Sequence, residues 1–132
     1  MTFVDTNVLL DLVTDDPNHA NWSLAQLEAA ALRGPLLINA AVYAELSVRY
    51  ARVEDVDDFV SRSGLRRETI PEAALFLAGK AFAAYRRAGG QRTGVLPDFF
   101  IGAHAAVRGA SLLTRDPARV RTYFPNVRRI EP

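Results

Sequence analysis

The sequence predicts an α/β fold, with helices flanking a mostly parallel sheet. Short apolar runs alternate with helical stretches along the whole chain, the pattern of parallel strands joined by crossover helices. Several acids stand just past an apolar run or at the head of a helix, and a parallel sheet gathers such positions at one edge. The length, 132 residues at 49% hydrophobic content, suits a single domain spanning 1–132 with a substantial core.

The elements follow in order. "MTFVD" is a short apolar strand ending at Asp5, "TNVLLDLV" a brief helix, and "TDDPNH" a loop of turn-forming residues. From about Ala20 a helix places Leu24, Leu27 and Ala31 on one face, until Gly34-Pro35 stops it. "LLIN" is a second buried strand, and Asn39 is positioned to cap the helix "AAVYAELSVRY". In that helix Val42, Leu46, Arg49 and Tyr50 share a stripe with Glu45 on its flank. "VEDVDDFVSR" is a short helix closed by Gly64, and "LRRET" a third strand.

Pro71 opens the next helix at a position that proline tolerates, with Leu75, Ala78, Gly79, Phe82 and Tyr85 as its apolar stripe. "RRAGGQRTG", from Arg86 to Gly94, reads as a flexible basic loop. "LPDFFIGAHAAV" reads as a helix buried on all sides with Asp98 at its mouth. "ASLLT" is a strand, "RDPARVRTYF" a turn and short helix, and "VRRI" a last edge strand. Internal repeats, linkers and low-complexity segments are absent.

Composition narrows the chemistry. With no cysteine there are no disulfides, thiolate metal sites or cysteine nucleophiles. The net charge of +1 assigns no partner. Lys80 is the only lysine, so arginine carries nearly all the positive charge, a bias that a GC-rich coding sequence also produces. The N-terminus lacks a basic start and places Asp5 where a signal peptide would be apolar, and no apolar run is long enough for a membrane span. A soluble cytoplasmic protein is the expectation.

Asp5, Glu45, Asp98 and Asp116 are all predicted at one sheet edge, although they span the chain. Taken singly, Asp5 and Asp116 read as helix N-caps, Asp98 as a complement to the helix dipole, and Glu45 as a surface acid. Taken together they repel one another, and a hard divalent cation, Mg²⁺ or Mn²⁺, resolves that repulsion with oxygen ligands. Such a centre suits phosphodiester hydrolysis, because the metal activates water and screens the phosphate. Zinc is disfavoured, since only His19 and His104 offer nitrogen.

"FVDTN", "AELSVRY", "LPDFFIGAHA" and "LLTRDPARVRTYFP", in this order, resemble the PIN domain, and more closely the VapC toxins of type II toxin–antitoxin pairs. The resemblance spans essentially the whole chain. It implies a Mg²⁺- or Mn²⁺-dependent endoribonuclease that leaves 5′-phosphate and 3′-hydroxyl ends. Asp5, Glu45, Asp98 and Asp116 match the family's acidic quartet, and Thr6, Asn7 and Thr114 its supporting polar residues. It also implies strand order 3-2-1-4-5, a homodimer, and a VapB-type antitoxin seated beside the site. Promoter DNA would be bound only through that antitoxin.

Among other residues, Arg86, Arg87 and Arg92 read either as a solvated loop or as contacts to RNA phosphates, and Arg115 stands close enough to the acids for a phosphate contact. His104 lies about 240° around the helix from Asp98 and reads as a packed, hydrogen-bonded core residue. Asp11, Asp15 and Asp16 read as surface acids, with Asp11 able to approach the site. Trp22, Phe99 and Phe100 read as packing or dimer contacts.

Two rival functions use the same residues. An aspartyl-phosphate phosphatase also needs an Asp after its first strand, but it wants a second Asp where this chain has Asn7, and Lys80 is poorly placed for phosphate. A non-catalytic module would bind a partner or RNA through the acidic edge without metal. Dinucleotide binding is disfavoured, since no glycine-rich turn follows the first strand.

Overall fold

The computed structural model describes all residues, 1–132. Its strands are β1 (Thr2–Val4), β2 (Leu36–Ile38), β3 (Leu65–Arg67), β4 (Ser111–Leu113) and β5 (Arg129–Ile130). Its helices are α1 (Thr6–Val13), α2 (Ala20–Arg33), α3 (Ala40–Ser47), α4 (Val53–Arg62), α5 (Glu72–Arg87), α6 (Pro97–Arg108) and α7 (Ala118–Tyr123). The five strands form one sheet in the order β3-β2-β1-β4-β5, and every neighbouring pair is parallel. That is the order the resemblance implied.

Apolar residues on both faces make the strands central. All residues of β1 and β2 are buried, which requires helices on each face of the sheet. The register sets Phe3 beside Leu37 and Leu112, and Val4 beside Leu113. Helix α6 packs on β1 and β4 and against α3, α5 and α7, while α1 packs against α2 and α3. Because β1 and β4 run parallel side by side, their C-terminal ends deliver Asp5 and Thr114 to the same edge. The Asp5 amide donates to the Leu113 carbonyl at 2.9 Å and ties the two strand ends together.

Local chemistry explains the helix ends. Asn39 caps α3 by accepting from the amides of Ala41 and Val42 at 3.0 and 3.2 Å. Pro97 occupies the first turn of α6, where its missing N–H costs no helical bond, and Gly109 ends that helix at φ 64°. Gly102 lies in close contact with the Phe124 ring, and an added Cβ there would stand 2.4 Å from it.

Three expected faces are corrected. Helix α2 buries Ser23, Leu27 and Ala30, whereas Leu24 is 47% exposed and Ala31 faces solvent. Helix α5 buries Ala74, Ala78 and Ala81, leaving Leu75 and Gly79 outside. Small residues let α5 lie close against α6, and farther along the same face Phe82 and Tyr85 pack on Phe99 of α6, as expected of them. Helix α3 stops at Ser47, so Arg49 and Tyr50 lie beyond it. In addition, α6 is not buried all round: Ala106, Val107 and Arg108 are exposed, and Pro71 caps α5 instead of opening it.

His104 is a fully buried core residue, as expected. Asn39 has its carbonyl oxygen occupied by the α3 amides, so its Nδ2 faces His104 Nδ1 at 3.3 Å. That makes Nδ1 the acceptor and leaves Nε2–H to donate to Glu68 at 2.8 Å. Burial pushes the imidazole pKa below its usual value, against the pull of Glu68, which keeps the ring neutral. One cap thereby joins α3 to α6. No helix is long and apolar enough to cross a membrane.

Candidate active site

Asp5 is the centre of the acidic edge. It caps α1 directly after the central strand and is only 7% exposed. Its Oδ1 accepts the Thr6 amide at 2.7 Å, and its Oδ2 accepts Thr114 Oγ1 at 2.8 Å and Asn7 Nδ2 at 3.3 Å. These bonds favour the carboxylate, yet they lose to burial, aided by the charges of Asp98 and Glu45. The pKa rises from 3.8 to about 7.

Polar side chains around Asp5 orient the remaining acids. Thr6 Oγ1 donates to Glu45 Oε1 at 2.7 Å and so fixes the α3 carboxylate beside α1. Thr114 Oγ1 is fully buried; it donates to Asp5 and accepts the Asp116 amide at 3.1 Å. Asn7 bridges Asp5 and Thr114 with its amide nitrogen and accepts the Arg115 amide at 3.1 Å with its oxygen.

The four acids do not form one tight knot. The charges of Asp98 and Glu45 bear on Asp5, whereas that of Asp116, an exposed residue, bears on Arg115. Asp116 is linked to the centre through its amide and Thr114, so it stands at the outer margin. Asp98, in the first turn of α6, accepts Arg119 Nη1 at 3.0 Å.

Two basic residues have roles that the sequence reading did not assign. Arg119 was missed; its only signal was its place on the helix that follows Asp116. Arg115, weighed as a phosphate contact, instead grips Asp11 with both arms, Nε to Oδ2 at 2.6 Å and Nη2 to Oδ1 at 2.8 Å. Asp11 is therefore not a surface acid: it is 3% exposed and also accepts Ser23 Oγ at 2.6 Å. This pair bolts the loop carrying Thr114 and Asp116 onto α1 and α2.

Breaking that pair strands a buried carboxylate. Arg115→Ala is expected to destabilise the fold by about 2–4 kcal/mol, somewhat below a fully buried pair because Arg115 is 25% exposed. Urea denaturation measures it, and a change under about 0.5 kcal/mol would show that the pair is not structural.

The expected flexible basic loop is tied back. Arg86 Nη1 donates to the carbonyls of Gly90 and Arg92 at 3.0 and 2.9 Å, and the Arg92 amide donates to Tyr85 Oη at 3.4 Å. Arg86 thus closes the loop, while the Arg87 and Arg92 residues are exposed. Trp22 and Phe100 are half-buried against the core, and Phe99 is wholly within it.

A metal of oxygen preference fits the acidic edge. Every side chain converging on Asp5 offers oxygen or an amide, both histidines point elsewhere, and there is no cysteine. The Asp5 carboxylate is buried, and the charges of Asp98 and Glu45 bear on it as well, so it is a place that a cation would relieve. Asp11, Asp16 and His19 also bring ligand atoms within 4.8 Å of one another, and such a trio has the chemistry to take a divalent ion. Both Asp11 oxygens already hold Arg115, however, so Asp16 and His19 are the donors left there.

The fold and site together define a class: a parallel α/β domain with carboxylates gathered at the C-terminal edge of its central strands. Residues 2–125 match the PIN domain, and the chain belongs to that family. Among solved structures, it is similar to VapBC2 from Rickettsia felis, bound to a fragment of its promoter DNA, at 20% identity and TM-score 0.72, covering 98% of this chain and 97% of that one. FitAcB from Neisseria gonorrhoeae aligns at 20% identity and TM-score 0.68, over 98% and 96%. VapBC-1 from nontypeable Haemophilus influenzae aligns at 16% and 0.70, again over 98% and 96%. At such identities the likeness is one of fold. No curated protein sequence matches the chain.

Proposed function

We propose that this chain is a divalent-metal-dependent endoribonuclease and the toxin of a toxin–antitoxin pair. The observation that carries the catalytic half is the geometry around Asp5, a buried carboxylate held by Thr6, Asn7 and Thr114, with Glu45 fixed nearby through Thr6 and the charge of Asp98 bearing on it. Asp5, Glu45, Asp98 and Asp116 would hold Mg²⁺ or Mn²⁺, directly or through water. Bound there, the ion supplies Lewis acidity that lowers the pKa of a water and screens the phosphodiester's charge.

The chain's own groups do the positioning. Thr114 and Asn7 orient Asp5, Thr6 orients Glu45, and the first turn of α6 presents Asp98 from a rigid core helix. The Asp11–Arg115 pair holds the Asp116 loop in place. Arg87 and Arg92 are the basic residues left exposed near the loop for RNA phosphates.

The partner half rests on kinship of fold. The similar structures include a toxin–antitoxin complex from Klebsiella pneumoniae and the DNA-bound VapBC of Salmonella typhimurium. By that likeness we assign a VapB-type antitoxin as partner, contact with promoter DNA only through it, a homodimeric toxin, and a place in the cytoplasm as one PIN domain. Antitoxin-free protein titrated with Mn²⁺ tests the reading. Binding by the wild type that Asp98→Asn weakens at least about tenfold, without unfolding, is expected. A variant that unfolds instead would make Asp98 a structural cap.

A further inference from the structure

Arg119 stands at the acidic edge with most of its donors free. Its guanidinium reaches Asp98 through a single Nη1 bond of 3.0 Å, end-on and not as a two-armed fork. The pair is 40% and 32% exposed, so it is weak and readily exchanged. Its position is nevertheless prepared. The guanidinium carbon lies 5.7 Å from the centre of the Tyr85 ring, close enough for a cation–π contact.

Tyr85 is itself braced. Its ring packs edge-on against Phe99 and Tyr123 at 5.6 and 6.4 Å and stacks on Phe82 at 5.9 Å. The fourth side is covered by Gly90, where a Cβ would fall 2.3 Å from the ring, so only glycine lets the loop lie there. The Arg92 amide holds the Tyr85 hydroxyl. A rigid aromatic platform thus carries a loosely paired arginine at the mouth of a carboxylate cluster.

We infer that Arg119 exchanges partners: it neutralises Asp98 when the cluster lacks a divalent ion, and moves to a phosphate of the bound RNA when the ion takes Asp98. The inference rests on the metal-nuclease reading above. A guanidinium and a divalent cation compete for one carboxylate and repel each other, so the ion displaces Arg119. Its planar donors then match a phosphate's oxygens, and the Tyr85 platform keeps them within reach of the site.

The test uses Arg119→Ala and Arg119→Gln in the full chain. Mn²⁺ affinity, measured calorimetrically without RNA, is expected to rise about three- to tenfold in both, because the competitor is gone. In Mg²⁺ with a single-stranded oligoribonucleotide, KM is expected to rise about tenfold, and the log–log salt dependence to flatten by about one phosphate contact. Arg119→Lys should restore the salt dependence and only part of KM, since it keeps the charge and loses the fork. Unchanged or weaker Mn²⁺ binding overturns the competition, and unchanged KM and salt dependence overturn the phosphate contact. A wild-type chain that binds no Mn²⁺ instead removes the nuclease reading on which the inference stands.

Discussion

Asparagine in place of Asp5 is expected to abolish RNA cleavage while making the metal-free protein more stable above neutral pH. The two effects have one cause. Asp5 is 7% exposed and lies beside Asp98 and Glu45, so its ionised form is held at a cost. A neutral amide of the same shape removes that cost, and with it the charge that would draw the cation. Part of the gain is lost because Thr114 Oγ1 and Asn7 Nδ2 donate to Asp5 Oδ2, where an amide nitrogen would face them. A net gain of about 1–3 kcal/mol in EDTA at pH 8 is expected, read as a higher thermal midpoint. Cleavage is expected to fall by more than the roughly 10–100-fold that loss of an outer partner costs. A variant less stable than wild type in EDTA would show that Asp5 serves first as a helix cap.

The second large effect is a dependence of metal-free stability on pH. The folded-state pKa of Asp5, about 7, lies above the 3.8 expected of an unfolded carboxyl. Well below pH 4 both states are protonated and Asp5 contributes nothing. Between pH 4 and 7 the unfolded state releases the proton first, so stability falls as pH rises. Above 7 both states are ionised and the full penalty stands, roughly 4 kcal/mol. Glu68, held below its usual range by Arg108, and Glu131, held down by Arg121, act oppositely and gain stability as pH rises through the acid range. The difference between wild type and Asp5→Asn, measured by urea denaturation in EDTA from pH 4 to 8, separates the Asp5 contribution. It should grow with pH and shrink when Mg²⁺ replaces EDTA, since the ion binds the ionised cluster. A difference that stays flat across that range would mean that Asp5 titrates normally and that its neighbours are not felt.

How much of this was legible in the sequence depends on the range of the interaction involved. The strands were legible because "TFV", "LLI" and "SLL" are apolar throughout, and the parallel order followed from motif resemblance. Caps such as Asn39 act on residues two and three positions away and were readable for the same reason. Helix faces were harder. On α5, Ala78, Phe82 and Tyr85 were readable, but Ala74 and Ala81 complete the face where a count of bulky apolar residues points to Leu75. The burial of Asp11 had no local signal, because its partner Arg115 lies 104 positions away. Range is not the whole of it: Arg86 closes its loop on carbonyls only four and six positions away, a bond set by the loop's backbone path and not by residue type.

The acidic residues themselves were picked out by position alone, at strand ends and helix heads. Their different surroundings were not. Asp5 is buried among hydroxyl and amide donors, Glu45 is steered by Thr6, Asp98 faces Arg119, and Asp116 is exposed at the margin. Those differences arise from side chains brought together across the sheet edge, and at Asp5 burial outweighs the donors and raises the pKa.

The central claim is that these acids work by holding a divalent ion for RNA hydrolysis. The most direct measurement is cleavage of RNA by purified, antitoxin-free protein in Mg²⁺, in EDTA, and as the Asp98→Asn variant. We predict cleavage in Mg²⁺ that leaves 5′-phosphate ends, and that is lost in EDTA and in folded Asp98→Asn. Cleavage that persists in EDTA, or that survives Asp98→Asn at full rate, would contradict it.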